Sequence, residues 1–336
     1  MNSSLHFLIQ SNVPRTVSYY QSNFGPLDNT VRMSGYPHRV LEEILTGVYR
    51  RAQREETPVQ IIHNCLDNSV QGIILPALSA GVCGIDVYDP EEYSIMAFSQ
   101  PAAFSAILKN LKAARETYTK ARSMHDEQEK VYISNMNFEA ADRLTAETIH
   151  LLLDGKERSH ASRGRAIDRF FGAATVNGSI NYIPEVTREI PKRYFIKGRP
   201  GTGKSTFLKK IAREALNRGF DTEIYHCSLD PDSLDLVAIR ELGVCLFDST
   251  APHEYFPSLP GDEIIDIYEK CVTAGTDEKY REELDSLQTV YREMLKNAAV
   301  YLQNVKKACD RFDETLPSVS KADISDLTEQ LIQKLF

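Results

Sequence analysis

The stretch that most constrains this chain is Gly198-Arg199-Pro200-Gly201-Thr202-Gly203-Lys204-Ser205, which matches the pattern G-x-x-x-x-G-K-[ST] at every fixed position. Glycines at 198, 201 and 203 allow a tight turn whose successive backbone N–H groups converge on an anion-sized concavity. In such a loop Lys204 reaches the β- and γ-phosphates and the Ser205 hydroxyl ligates Mg²⁺, with Thr206 completing the binding segment. The flanks supply the context this needs. Arg193-Tyr194-Phe195-Ile196 is a β-type run entering the loop, and Phe207, Leu208, Ile211, Ala215 and Leu216 recur at helical spacing after it. Gly219 is a natural stop for that helix, whose N-terminus and dipole then face the phosphates. The expected ligand is a nucleoside triphosphate, ATP with Mg²⁺, held by residues 198–206.

Acids near the loop are the next candidates. Val244-Cys245-Leu246-Phe247-Asp248 reads as a core strand ending in a carboxylate, which in phosphate-loop enzymes sits beside the loop and holds Mg²⁺ through water. The alternative is a strand-end aspartate that caps the next turn. Downstream of another strand, Thr222 to Cys227, comes Ser228-Leu229-Asp230-Pro231-Asp232-Ser233-Leu234-Asp235. Strand C-terminal ends face the ligand crevice in an open parallel sheet, so Asp230 and Asp232 could orient or deprotonate a nucleophile. Asp-Pro-Asp-Ser is equally an ordinary turn with Asp232 as a helix cap. His226, Cys227, Cys245 and His253 do not have zinc-finger spacing, and two core-strand cysteines act as small hydrophobes.

The chain also repeats itself. Phe7, Val17 and Tyr19 recur as Phe170, Ile180 and Tyr182, and Ile44, Leu45, Val48 and Ala52 as Phe207, Leu208, Ile211 and Ala215. A one-residue deletion near Glu56 then aligns Cys65 with Cys227, Gly81-Val82-Cys83 with Gly243-Val244-Cys245, and Asp86 with Asp248. In the first copy Gly203, Lys204 and Ser205 become Val40, Leu41 and Glu42, so that loop is expected to bind no nucleotide. Each copy continues into helices. Tyr280 to Phe312 shows helical periodicity over a long arm that Pro317 ends, and Ile324 to Leu335 folds back. The first arm starts at Phe104, turns at Asn135-Met136-Asn137 and returns through Leu152. Lys279, Arg281, Arg292 and Lys296 on the second arm are interleaved with glutamates, the pattern of a solvated face. Asn177-Gly178 between two β-type runs signals a hairpin, and Asp154 to Arg165 is polar enough for a linker.

The expected fold is α/β: two tandem phosphate-loop NTPase-like αβα sandwiches with mainly parallel sheets, 1–162 and 163–336, each with its own helical hairpin. A length of 336 residues suits two domains, and a net charge of −8 argues against broad nucleic-acid binding. Six cysteines without scaffold spacing, no basic leader at Met1, and no apolar stretch long enough to span a bilayer suggest a soluble cytoplasmic protein.

Ile196 to Thr206 (IKGRPGTGKST), His226 to Asp235 (HCSLDPDSLD), Thr250-Ala251-Pro252-His253-Glu254-Tyr255 and Pro260-Gly261-Asp262-Glu263 resemble a bacterial family of tandem phosphate-loop ATPases over nearly the whole chain. The resemblance implies ATP binding and a duplicated architecture. Both copies often carry an intact loop in that family, whereas the first here reads SGYPHRVL. The expected activity is an ATPase that couples hydrolysis to a conformational change. The alternatives are a small-molecule or nucleotide kinase, and a nucleotide-gated scaffold whose arms bind a protein partner.

Overall fold

The computed structural model describes residues 3–10, 15–85, 88, 102–156, 163–251 and 254–336. Apart from short helices and hairpins, one order of elements occurs twice along the chain. The first pass runs β1 (Ser3–His6), β2 (Asn29–Ser34), α1 (His38–Arg54), β3 (Val59–His63), β4 (Val70–Leu75) and β5 (Ala80–Ile85), then helices α2 (Ala102–Ile133) and α3 (Phe138–Leu153). The second runs β6 (Ala166–Phe170), β7 (Lys192–Lys197), α4 (Lys204–Asn217), β8 (Thr222–His226), β9 (Leu234–Ile239) and β10 (Val244–Asp248). It adds β11 (Asp262–Asp266) before helices α5 (Arg281–Asp313) and α6 (Lys321–Leu335). The first sheet is ordered β1-β3-β4-β5-β2; the second, β11-β7-β10-β9-β8-β6, repeats that order with β11 added at one edge.

The class is α/β, and the sheets are mixed: most strands run one way, with β4 reversed in the first sheet and β9 in the second. β1 pairs parallel with β3 and β2 with β5, whereas β4 is antiparallel to both its neighbours. β7 likewise runs parallel to β10 and β11, and β9 antiparallel to β8 and β10. The cause is local. β4 and β9 each follow the preceding strand through a short turn, which permits only antiparallel pairing.

Strand register also corrects the alignment of the repeats. Bulges at Ile62/His63 and Tyr225/His226 are equivalent, and there His63 Nδ1 meets the Asn68 carbonyl at 2.8 Å and His226 Nδ1 the Pro231 carbonyl at 2.7 Å. Glu56 (φ 53°) and Gly219 (φ 88°) hold the same left-handed position after α1 and α4, so no deletion occurs near Glu56. The length difference lies in the turn before β9, which is one residue longer than the turn before β4. Ser79 (φ 48°) therefore matches Gly243 (φ 61°), and Gly84, not Asp86, is the counterpart of Asp248. Asp86 lies outside the described residues.

Compact packing does not divide the chain at 162/163. One unit comprises Met1–Tyr118, Phe170–Val186 and Lys296–Phe336, and the other Thr119–Arg169 and Thr187–Leu295. In the first unit Ile324, Leu331, Ile332 and Leu335 of α6 enter the core of Val40, Ile44, Val48 and Ala52 of α1. Gly47 allows that approach, since a Cβ there would come within 2.4 Å of Thr328 Cγ2. In the second unit Leu144, Leu152 and Leu153 of α3 pack on Phe207, Ile211 and Ala215 of α4. The returning helix of each arm thus covers the loop helix of the other repeat, not of its own. The expected Asn-Gly hairpin is present, Gly172–Thr175 pairing antiparallel with Gly178–Asn181. It belongs to the first unit, where Phe7 and Phe170 exchange backbone hydrogen bonds of 2.9 Å in both directions.

Candidate nucleotide site

The glycine-rich loop leaves β7 and ends where α4 begins at Lys204. Gly201 (φ 74°) and Gly203 (φ 84°) occupy left-handed backbone, and Gly203 caps the helix. Gly201 is required twice over. A Cβ there would lie 2.6 Å from the Glu129 carbonyl, because the last turns of α2 rest on the loop. Thr202 is fully buried and braces the turn: its hydroxyl donates to the Arg199 carbonyl at 2.8 Å and accepts from the Arg199 amide at 3.2 Å. Gly198 has no room for a side chain either, since a Cβ on it would meet Thr202 Oγ1 at 2.6 Å. The Arg199 guanidinium is turned onto Asp277 (2.9 and 3.1 Å) and over the Tyr268 ring.

Asp248, at the end of β10, lies beside the loop because β10 pairs directly with β7, Ile196 opposite Asp248. Lys204 Nζ is 3.6 Å from its carboxylate and donates to the Arg199 carbonyl at 2.8 Å. Its other oxygen caps the next turn, accepting from the Thr250 amide and hydroxyl, as the alternative reading of Asp248 expects. Ser205 Oγ accepts from the Leu234 amide at 2.9 Å, which ties the first turn of α4 to the start of β9.

That strand brings in a residue the sequence reading passes over. Continuing the antiparallel register Leu236 opposite Phe247 sets Asp235 across from Asp248. Burial first, and then the charge of Asp248, push the Asp235 carboxyl up to about 7, while the Cys227 thiol and Lys204 pull it down. Asp230 and Asp232 sit instead in the preceding turn. The Ser233 amide donates to the Asp230 carbonyl at 2.8 Å, the Asp230 carboxylate pairs with Arg122 of α2, and Asp232 is exposed. The signal for Asp235 is the alternation that opens at Leu234, a strand start rather than a turn.

Arg122 matters for another reason. Arg122 and His125 of the first arm both stand near this site. His125, one turn on from Arg122, lies close enough to feel Lys204; burial pushes its imidazole down, Glu129 pulls it up and Lys204 pushes it down again. His125, Asp126 and Glu129 hold ligand-type atoms within 4.8 Å of one another. His226 is structural, its second ring nitrogen meeting Asp168 at 2.9 Å, and Cys245 is buried; His253 lies outside the described residues.

The donors at hand suit a hard cation: the Ser205 hydroxyl and the Asp248 carboxylate are both oxygen. The titration of Asp235 is testable. Asp235 is protonated in the folded chain over a range where the unfolded chain has ionised it, so stability falls as pH rises from about 4 to 7. A cation held at Asp248 gains from a second negative charge across the strand pair, so Mg²⁺ affinity is expected to rise as Asp235 ionises. Asp235→Asn should flatten both profiles, as urea melts and Mg²⁺ titrations across that range will read.

The equivalent place in the first repeat is built differently. The Gly35 loop is cut short because α1 starts at His38, so His38, Arg39 and Val40 are helical where Gly201, Thr202 and Gly203 form the cradle. Leu41, Glu42, Gln71 and Gly84 replace Lys204, Ser205, Asp235 and Asp248. Leu41 packs against Gly84 where Lys204 pairs with Asp248. The helix N-terminus takes an anion from its own chain: the His38 amide donates to Asp313 Oδ1 at 2.6 Å.

Among the described residues no helix is long and apolar enough to cross a membrane. No protein-family model, curated protein or solved structure matches this chain.

Proposed function

We propose that the chain is a Mg-ATP-binding phosphate-loop ATPase with one live site, in the second repeat, and one pseudo-site. The observation that carries this reading is the convergence of a complete G-x-x-x-x-G-K-S loop with Ser205, Asp235 and Asp248 at one end of the central strands. On this reading both repeats are phosphate-loop NTPase-like sandwiches. Loop amides and Lys204 hold the phosphates, and Ser205 and Asp248 would hold Mg²⁺, which would supply positive charge for the developing negative charge of the triphosphate. Asp235, made a stronger base by burial and by the charge of Asp248, accepts the proton of the water that attacks the γ-phosphorus as the bond to the β-phosphate oxygen breaks. The arms offer the element that nucleotide state acts on, since α2 rests on the loop itself.

Asp235 also supports a second reading, a phosphotransferase in which it deprotonates an acceptor hydroxyl. Purified chain with Mg-ATP separates the two: steady phosphate release supports the ATPase, and turnover only after an acceptor is added supports the kinase. Calorimetric titration with a non-hydrolysable ATP analogue is expected to give one site per chain, because the pseudo-site lacks the cradle and already holds Asp313. Two sites per chain, halved by Lys204→Ala, would sink the assignment of the pseudo-site.

A further inference from the structure

We infer that the cavity between α3 and α4 is the subsite for the purine base of the bound nucleotide. This rests on the phosphate-loop reading and adds to it the direction in which the nucleotide lies. Lys204 and Ser205 engage Asp248 and the start of β9. Gly203 and Thr206 instead line a cavity of about 110 Å³ whose far wall is α3. A triphosphate bound with its γ-end at Asp248 therefore directs its nucleoside towards α3.

The wall suits a flat apolar ring. Met136, Phe138, Ala141, Leu144, Phe207 and Ile267 are its apolar lining, and Phe138 is 61% exposed, an aromatic face open to a ligand. The α3 side of the rim has its polar side chains paired. Lys210 is paired with Asp142 at 2.5 Å, and the Thr145 hydroxyl donates to the Ala141 carbonyl at 2.7 Å. The base is thus held by stacking and buried area, not by its hydrogen-bonding edges, so adenine and guanine bind with similar affinity and pyrimidines more weakly. α3 belongs to the first repeat, which gives that repeat a role in nucleotide binding although its own loop has lost the chemistry.

The test compares a non-hydrolysable Mg-ATP analogue with inorganic tripolyphosphate on the full chain, by calorimetry. Phe138→Ala is expected to weaken the analogue by roughly five- to 150-fold, the range for losing one base–aromatic stack, and to leave tripolyphosphate unchanged. Phe138→Trp gives a second readout, because the chain contains no other tryptophan. Its emission should change with the analogue and stay constant with tripolyphosphate. The inference is overturned if Phe138→Ala binds both ligands as wild type does, or weakens both equally, or if the tryptophan responds identically to both. Wild-type chain that binds neither ligand would remove the phosphate-loop reading, and this subsite with it.

Discussion

Lys204→Ala is expected to weaken Mg-ATP binding by about ten- to a hundredfold, the loss of one charge-assisted contact to phosphate. The side chain is poised for that contact and contributes little else. It is 11% exposed, its ammonium resting on the Arg199 carbonyl and 3.6 Å from Asp248, both within the loop's own surroundings. Asp248 keeps its Thr250 donors after the change, so no buried carboxylate is left without a partner. Thermal unfolding of the variant should therefore stay close to wild type while calorimetry shows the lost affinity. Unchanged affinity for Mg-ATP would remove the phosphate-loop assignment. A large drop in melting temperature would show that the lysine is structural.

The largest loss of stability is expected from Glu223→Ala. Glu223 lies on β8 with a side chain 9% exposed, held by Arg169 at 3.2 Å, by Arg240 at 2.9 Å and by the Tyr225 hydroxyl at 3.1 Å. Burial pushes its carboxyl up, but Arg169 and Arg240 outweigh burial and hold it below the usual carboxylate range. Removing the acid leaves the Arg169 guanidinium, 5% exposed, without its buried counter-charge. Breaking a buried pair in this way costs about 3–5 kcal/mol, a fall in melting temperature on the order of 10 °C. The sign with pH follows from the depressed carboxyl: its contribution is present above the unfolded carboxylate range and is lost as pH falls through the lower folded value. Urea melts at pH 7 and pH 3 should differ less for the variant than for wild type. A variant as stable as wild type at pH 7 would mean that the two arginines find other partners.

Much of this was legible in the residues. The loop, its entering strand and its helix follow from glycine spacing and apolar periodicity, which are local properties. Both arms and their turns were readable for the same reason. The reversed strand in each sheet was not. Leu234–Ile239 is short and follows an acidic turn, so its alternation shows a strand but not which neighbours it pairs with. The match of Gly81-Val82-Cys83 to Gly243-Val244-Cys245 fails by two residues, and a slip of two keeps every side chain on its face. Only the shared left-handed position at Ser79 and Gly243 and the strand register exclude it. That correction turns the counterpart of Asp248 into Gly84.

Residue type and local period suffice to say which loop carries the complete G-x-x-x-x-G-K-S pattern, that the first copy lacks its lysine and hydroxyl, and that each half carries a helical arm. Which helix each arm covers was decided in three dimensions. α3 and α6 present apolar stripes that fit either loop helix, and the choice falls to α4 for α3 and α1 for α6 through packing such as Thr328 on Gly47. The same holds for Asp235, whose chemistry comes from burial opposite Asp248 and not from its place in the chain. A carboxylate's charge state depends on the groups around it, and those groups meet only when β9 and β10 pair.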